Sequence, residues 1–119
     1  MLVDKQHVFL LDLALLIVYI SARHPDLQIS GGELWRTHYQ QARYIEDGKS
    51  KTYRSRHLKR LAIDLNFFMG GLYLGEVSEK NLKVTLQPIG DFWESIRPEN
   101  SWGGNWKNFP DFWHFERSE

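Results

Sequence analysis

The 119-residue chain contains no cysteine. That excludes disulfides and every cysteine-ligated metal cluster, and it leaves the redox compartment open. It carries no net charge, because 15 Lys and Arg balance 15 Asp and Glu, so global charge points to no polyanionic partner. There is no internal repeat and no low-complexity tract. No apolar run reaches the roughly 20 residues that spanning a bilayer requires. The nearest approach, 8–20, is broken by Asp12. We therefore expect no stable membrane insertion. The remaining composition, 42% apolar and 25% charged, fits one globular domain over 1–119 with a single modest core.

Residues 5–22 read as a helix, apolar almost all round, kept in the mature protein as a core element. A signal peptide is the rival reading, with Lys5 as its basic start and Ile20-Ser21-Ala22 as a loose cleavage site. Asp12 inside the apolar stretch argues against it. Pro25 stops the helix. Residues 27–30 are extended, Gly31-Gly32 marks a turn or bulge, and 33–36 resumes as a strand. Thr37 is the expected N-cap of a helix over 38–46, closed by Asp47-Gly48. Residues 61–68 form a strand and 69–74 a hairpin turn with the start of a return strand. Residues 76–87 show no pattern. Residues 87–96 predict a helix with Pro88 in its first turn, and Ile89, Phe92, Trp93 and Ile96 at core spacing. A Gly loop, 102–106, precedes a short final strand at 113–116.

Two stretches carry chemistry. One, 55–64, holds His57 and Asp64; the other, 111–116, holds Asp111 three positions before His114. Two imidazoles and two carboxylates suffice for a catalytic zinc site with three protein ligands, one position for water and one carboxylate as base. We assign His57, Asp64 and His114 as ligands and Asp111 as base. An offset of seven puts His57 and Asp64 on opposite faces of one strand, and about 10 Å apart along one helix. The chain must bend between them, with His57 on a loop and Asp64 inside the strand. A carboxylate within an apolar strand is costly unless it is paired or binds a metal.

Ser55-x-His57, Ala62-x-Asp64 and Asp111-x-x-His114, together with Gly32–Thr37, Gln40-Gln41 and Trp102–Trp106, resemble the zinc D-alanyl-D-alanine carboxypeptidases and dipeptidases. Within that group they are most similar to the phage L-alanyl-D-glutamate peptidase endolysins. The resemblance implies an α+β fold: a small antiparallel sheet with helices packed on it and one zinc ion in a cleft on the sheet. It implies that Arg36 lines the cleft and stabilises the oxyanion. Ser55 is read as a substrate or ligand contact, or as a turn residue. Trp113 and Phe115 are expected to pack around the ion, with Trp113 touching substrate, and Glu116 is expected to support the site. Two positions depart from the family pattern. Arg60 stands where Gly is usual, which strains the backbone if that position needs positive φ. Asn105 stands where Asp is frequent.

The function implied is cleavage of peptidoglycan stem peptides by a monomer made in the bacterial cytoplasm and acting on the cell wall, without a convincing signal peptide. The alternatives are a D-alanyl-D-alanine carboxypeptidase of the same family and a non-catalytic, zinc-containing wall-binding domain. The basic run Lys49, Lys51, Arg54, Arg56, Lys59 and Arg60 contains no acid and raises a nucleic-acid reading. It has one aromatic, Tyr53, and no known binding pattern, so we expect no nucleic-acid partner. It reads better as a solvated loop flanking the site, or as an attractor of anionic wall polymer.

Overall fold

The computed structural model describes residues 1–119. Its spine is β2 (Ala62–Met69), the apolar stretch interrupted by Asp64. Successive side chains on a strand alternate faces. Leu61, Ile63, Leu65 and Phe67 therefore share one face and are all buried, while Asp64 and Asn66 turn to the other. β1 (Leu27–Gly31) pairs with the second half of β2, from Leu27 opposite Met69 to Gly31 opposite Leu65. β5 (His114–Arg117) pairs with the first half of β2 on its other edge, and β4 (Asn100–Trp102) lies outside β5. The order is β1-β2-β5-β4, antiparallel throughout, with β3 (Leu72–Tyr73) closing a hairpin on β2. Gly70 and Gly71 make that turn at φ 57° and 80°, the left-handed pair that a two-residue hairpin demands.

Two helices cover the apolar face. α1 (Leu2–Arg23) brings Phe9, Leu13, Leu16 and Ile20, and α3 (Glu79–Ile96) brings Leu82, Leu86, Ile89 and Trp93. Phe9 and Phe115 each meet the Trp93 ring edge-on, at 5.6 and 6.0 Å. α1 is a core helix on one side only: Val3, Leu10, Leu11, Leu15 and Val18 stay exposed. By length and composition alone its 22 residues are long and apolar enough to cross a membrane. Asp12 faces inward and is fully buried, gripped by Arg97 Nε and Nη2 at 2.8 and 2.9 Å and by Asn100 Nδ2 at 3.3 Å. Burial pushes its carboxyl up, but these donors outweigh burial and hold it below the usual value.

Three expectations need correction. α3 starts at Glu79, so the unpatterned 79–86 is helix and Pro88 lies inside it rather than in its first turn. The ring removes one backbone bond, to Val84, but Pro88 and Val84 are both solvent-exposed and water can satisfy the freed carbonyl. Residues 33–36 are not a strand. Gly32 N donates to Asp64 O and Asp64 N to Glu33 O, at 2.8 and 3.0 Å, and the chain then leaves the sheet, with Arg36 N bonding His57 O at 3.1 Å. Trp113 and Phe115, expected beside the ion, sit on the helix-covered face, because alternation turns them away from His114.

Candidate metal centre

α2 (His38–Glu46) forms as expected: Thr37 Oγ1 caps Gln40 N while Gln40 Oε1 accepts from Thr37 N, a reciprocal capping box. His38 and Gln40 are exposed, but Gln41 is fully buried. After α2 the chain crosses the polar face of the sheet and enters a 3-10 turn, Arg56–Lys59, that carries His57. Ser55 Oγ accepts from His57 N at 3.3 Å and fixes the start of that turn. Arg60 ends it at φ 56°, ψ 38°, the one non-glycine residue with positive φ. The strain foreseen for Arg at this position is present, and its guanidinium lies 4.7 Å above the Trp35 ring.

Asp64 and His114 face each other directly across the β2–β5 ladder. The flanking bonds, Leu65 N to Trp113 O and Arg117 N to Leu61 O, make theirs a non-hydrogen-bonded pair, in which side chains approach most closely. His57 joins from the 3-10 turn, its ring 5.1 Å from that of His114. His57 Nε2 and His114 Nδ1 each lie 3.5 Å from Asp64 Oδ1. That is long for a hydrogen bond, yet close to the separation of about 3.4 Å between donors held tetrahedrally at 2.0–2.1 Å from one ion. The remaining ring nitrogens are engaged: His57 Nδ1 lies 3.0 Å from Leu34 O, and His114 Nε2 lies 2.8 Å from Glu116 Oε1. In the neutral rings these acceptors take the N–H and leave both lone pairs turned inward. The three side chains converge within 4.8 Å and can hold a metal ion.

Electrostatics agree with convergence. Burial pushes the Asp64 carboxyl up, but His114 and His57 overcome it and hold it well below the usual range. Burial lowers His114, but Asp64 and Glu116 reverse this and raise it to about 9. Without a cation, the site therefore retains a proton in its place.

Asp111 lines the same cleft, just before β5. Its N–H donates to Gly103 O at 2.9 Å, and its Oδ1 accepts from Trp113 N at 3.3 Å. Burial raises its pKa, opposed by His114 and assisted by Asp64. Arg36 is buried and triply held. Its Nε pairs with Glu33, its Nη1 donates to Gln41 Oε1 at 2.6 Å and to Ser55 Oγ at 3.3 Å, and its plane lies 4.4 Å over Tyr44. Arg36 lines the cleft, which has a volume of about 370 Å³.

Of the expected site residues, His57, Asp64, His114, Asp111, Arg36 and Ser55 all line this cleft. Trp113 does not: it stacks on Phe67 and Tyr73 at 6.0 and 5.5 Å. The indole at the site is Trp106, 5.0 Å from the His114 ring. Glu116 and Leu34 O orient the imidazoles, and a backbone carbonyl leaves no trace in sequence. Asn105 is part of the scaffold, its Nδ2 donating to Glu94 at 3.1 Å; an Asp there would lose that donor.

Comparison with known proteins gives a consistent result. No curated protein matches the sequence. Among solved structures, the crystal structure of the L-Ala D-Glu endopeptidase ChiX of Serratia marcescens superposes with a TM-score of 0.59 and 26% identity, over 77% of this chain and 68% of that one. A family model described as D-alanyl-D-alanine carboxypeptidase matches residues 48–117, more than half of the chain, including β2, β5, His57, Asp64, Asp111 and His114. The chain thus belongs to the D-alanyl-D-alanine carboxypeptidase family of peptidases.

Proposed function

We propose that this protein is a zinc-dependent peptidase that cuts peptidoglycan stem peptides as a single-domain monomer. The observation that carries the reading is the His57–Asp64–His114 triangle, with both outer ring nitrogens already engaged and a second carboxylate, Asp111, in the same cleft. His57 Nε2, Asp64 and His114 Nδ1 would hold the ion, a nitrogen and oxygen donor set that suits zinc. Bound there, zinc supplies a Lewis acid for the scissile carbonyl and lowers the pKa of a water it holds to about 7.

The chain's own groups do the rest. Asp111 takes a proton from the attacking water and returns it to the leaving amine; its raised pKa brings it nearer the working pH. Arg36 Nη2, on a guanidinium locked by Glu33, Gln41 and Ser55, donates to the oxygen that gains charge. Ser55 sets both the His57 turn and Arg36. Trp106 shields the His114 side from water.

The L-alanyl-D-glutamate bond is the preferred target, supported by the Serratia marcescens endopeptidase; the D-alanyl-D-alanine bond, supported by the family description, is the second reading. A role as a phage-type lysin made in the cytoplasm and acting on the wall follows the resemblance. The pairing of buried Asp12 with half-exposed Arg97 supports a mature chain that keeps α1.

The test is release of amino groups from purified peptidoglycan, with and without chelator, followed by mass analysis of the products. Activity should vanish on chelation and return with zinc. Asp111→Asn should keep about one zinc per chain and lose roughly 100- to 10,000-fold in rate, whereas His114→Ala should lose the metal. An Asp111→Asn protein cutting at wild-type rate, or His114→Ala with full zinc, refutes the assignment.

A further inference from the structure

We propose that the outward face of α1 docks on an anionic lipid bilayer, so that the protein lies on the membrane surface with its cleft turned away from it. This goes beyond the peptidase reading, and the docking itself does not depend on catalysis.

From Gln6 to Ala22 the chain holds one charged residue, Asp12, and that residue faces the core. The other side of those turns is apolar and open. Leu10, Leu11, Leu15 and Val18 are each more than half exposed, and Ala14 and Ala22 continue the same stripe at spacings of three and four. A helix from residue 6 to residue 22 runs for about 25 Å. A contiguous apolar face of that length marks an interaction surface.

What borders the stripe selects the partner. Val3, His7 and Leu10 share a groove with Leu34 and Arg60. The Arg60 guanidinium lies 4.7 Å above the Trp35 ring, which is half exposed. Gln6 Nε2 donates to Lys59 O at 2.8 Å and brings the Arg56–Lys59 turn against the start of the helix. The acids at this end are matched: Asp4 by the terminal ammonium at 3.0 Å, and Glu119 by Lys59 and Arg56. Lys5, Arg23 and Arg60 pair with no carboxylate. An apolar stripe edged by lysine, arginine and tryptophan fits a headgroup layer. Aliphatic side chains enter the acyl boundary, the indole sits at the interface, and the cations meet lipid phosphate. A second copy on this face, parallel or antiparallel, would set cation against cation, because Lys5 and Arg60 stand at one end of the stripe and Arg23 at the other.

The docking is peripheral. Asp12 is held by Arg97 and Asn100, and α1 cannot enter the bilayer core without stripping that carboxylate of both. Orientation follows from the sheet. Leu61, Ile63, Leu65 and Phe67 face the two helices, whereas Asp64 turns to the other face of the same strand. A bilayer under α1 therefore leaves the His57–Asp64–His114 cleft open on the far side, where a wall peptide can reach it.

The experiment is co-sedimentation of the full-length protein with vesicles of phosphatidylcholine alone and of equal parts phosphatidylcholine and phosphatidylglycerol. Wild type should bind the anionic vesicles roughly tenfold or more tightly than the neutral ones, and lose that preference in high salt. Leu11→Glu/Leu15→Glu should abolish binding, and Leu11→Ala/Leu15→Ala, which adds no charge, should weaken it. Lys5→Gln/Arg60→Gln should bring the two vesicle types together. The Tm of each variant confirms that it is folded. Cleavage of a soluble peptide by Leu11→Glu/Leu15→Glu should match wild type, since these side chains lie away from the cleft. Absence of binding to anionic vesicles at low salt overturns the proposal. So does equal binding of both vesicle types by wild type, or wild-type binding by Leu11→Glu/Leu15→Glu. A dimer in sedimentation velocity that the same substitutions dissolve, without vesicle binding, gives the face to a second copy and overturns it too. A protein that binds vesicles as expected but cuts no peptidoglycan overturns the peptidase reading alone.

Discussion

Gly103→Ala tests whether placement of the proposed base, Asp111, rather than its presence, limits the reaction. A Cβ on Gly103 would lie 2.4 Å from Asp111 O and 3.1 Å from both Asp111 Cβ and His114 Cβ. Ordinary contact begins at 3.4 Å, so Asp111 must retreat by about 1 Å. The obstructing atom is backbone oxygen, which cannot swing aside like the end of a flexible side chain. Gly103 is not among the glycines with positive φ, so alanine suits its backbone and the contact is the whole perturbation. A 1 Å misplacement of a catalytic group costs about 100-fold, or roughly 2.7 kcal/mol of barrier. Overpacking should also lower stability by about 1–3 kcal/mol. The assay is kcat on peptidoglycan peptides at saturating zinc, beside metal content and thermal unfolding. A folded Gly103→Ala protein with its zinc and a wild-type kcat would refute the argument that this glycine sets the base.

Two further outcomes follow from charge and backbone. In chelated protein, His114 is raised from 6.5 to about 9, so its contribution is complete below pH 6.5 and lost as pH climbs to about 9. Asp64 is depressed, so its contribution is present above 3.8 and lost as pH falls below that. Metal-free Tm should therefore fall as pH rises from 6.5 to about 9, and zinc uptake near pH 7 should release a proton detectable by calorimetry in two buffers; a Tm flat from 6.5 to 9 contradicts this. At position 60, where φ is 56°, Gly should be more stable than Ala by about 1 kcal/mol, the reverse of their usual order. Both substitutions lose the Trp35 contact equally, so denaturant unfolding of the pair isolates the backbone, and Ala as the more stable variant would remove strain from the account.

Residues whose role depends on local chemistry were legible in the sequence. Thr37 reads as an N-cap, Gly70-Gly71 as a tight hairpin, and Asp64 as an acid inside an apolar strand. The place of Trp113 follows from strand alternation, which turns it to the face opposite His114. Pro88 shows propensity yielding to context, because Leu82 and Leu86 bury enough surface to carry the helix through it. The irregular 33–36 stretch was not legible. Its extended residues bond Asp64 and His57 rather than a strand partner, and that depends on tertiary placement. The same holds for Leu34 O and for Gln41, a helix-face residue by pattern and the mooring of two loops in the structure.

The three imidazole and carboxylate groups do not reach the centre by equivalent means. Asp64 and His114 are fixed by the sheet itself, since their register opposes them and a one-residue slip would turn one of them to the other face. His57 lies outside the sheet, on a four-residue turn that ends in a strained arginine. Loops are more mobile than the elements they join, so this group needs other restraints. It has four: Ser55 Oγ on its N–H, Arg36 N and Arg60 N on its carbonyl, and Leu34 O on its ring. Two of those four come from 34–36, the segment that also delivers Arg36. The roles proposed for His57 and Arg36 therefore both rest on one piece of irregular chain. A change that displaces Arg36 should also loosen His57, and the two roles should fail together rather than separately.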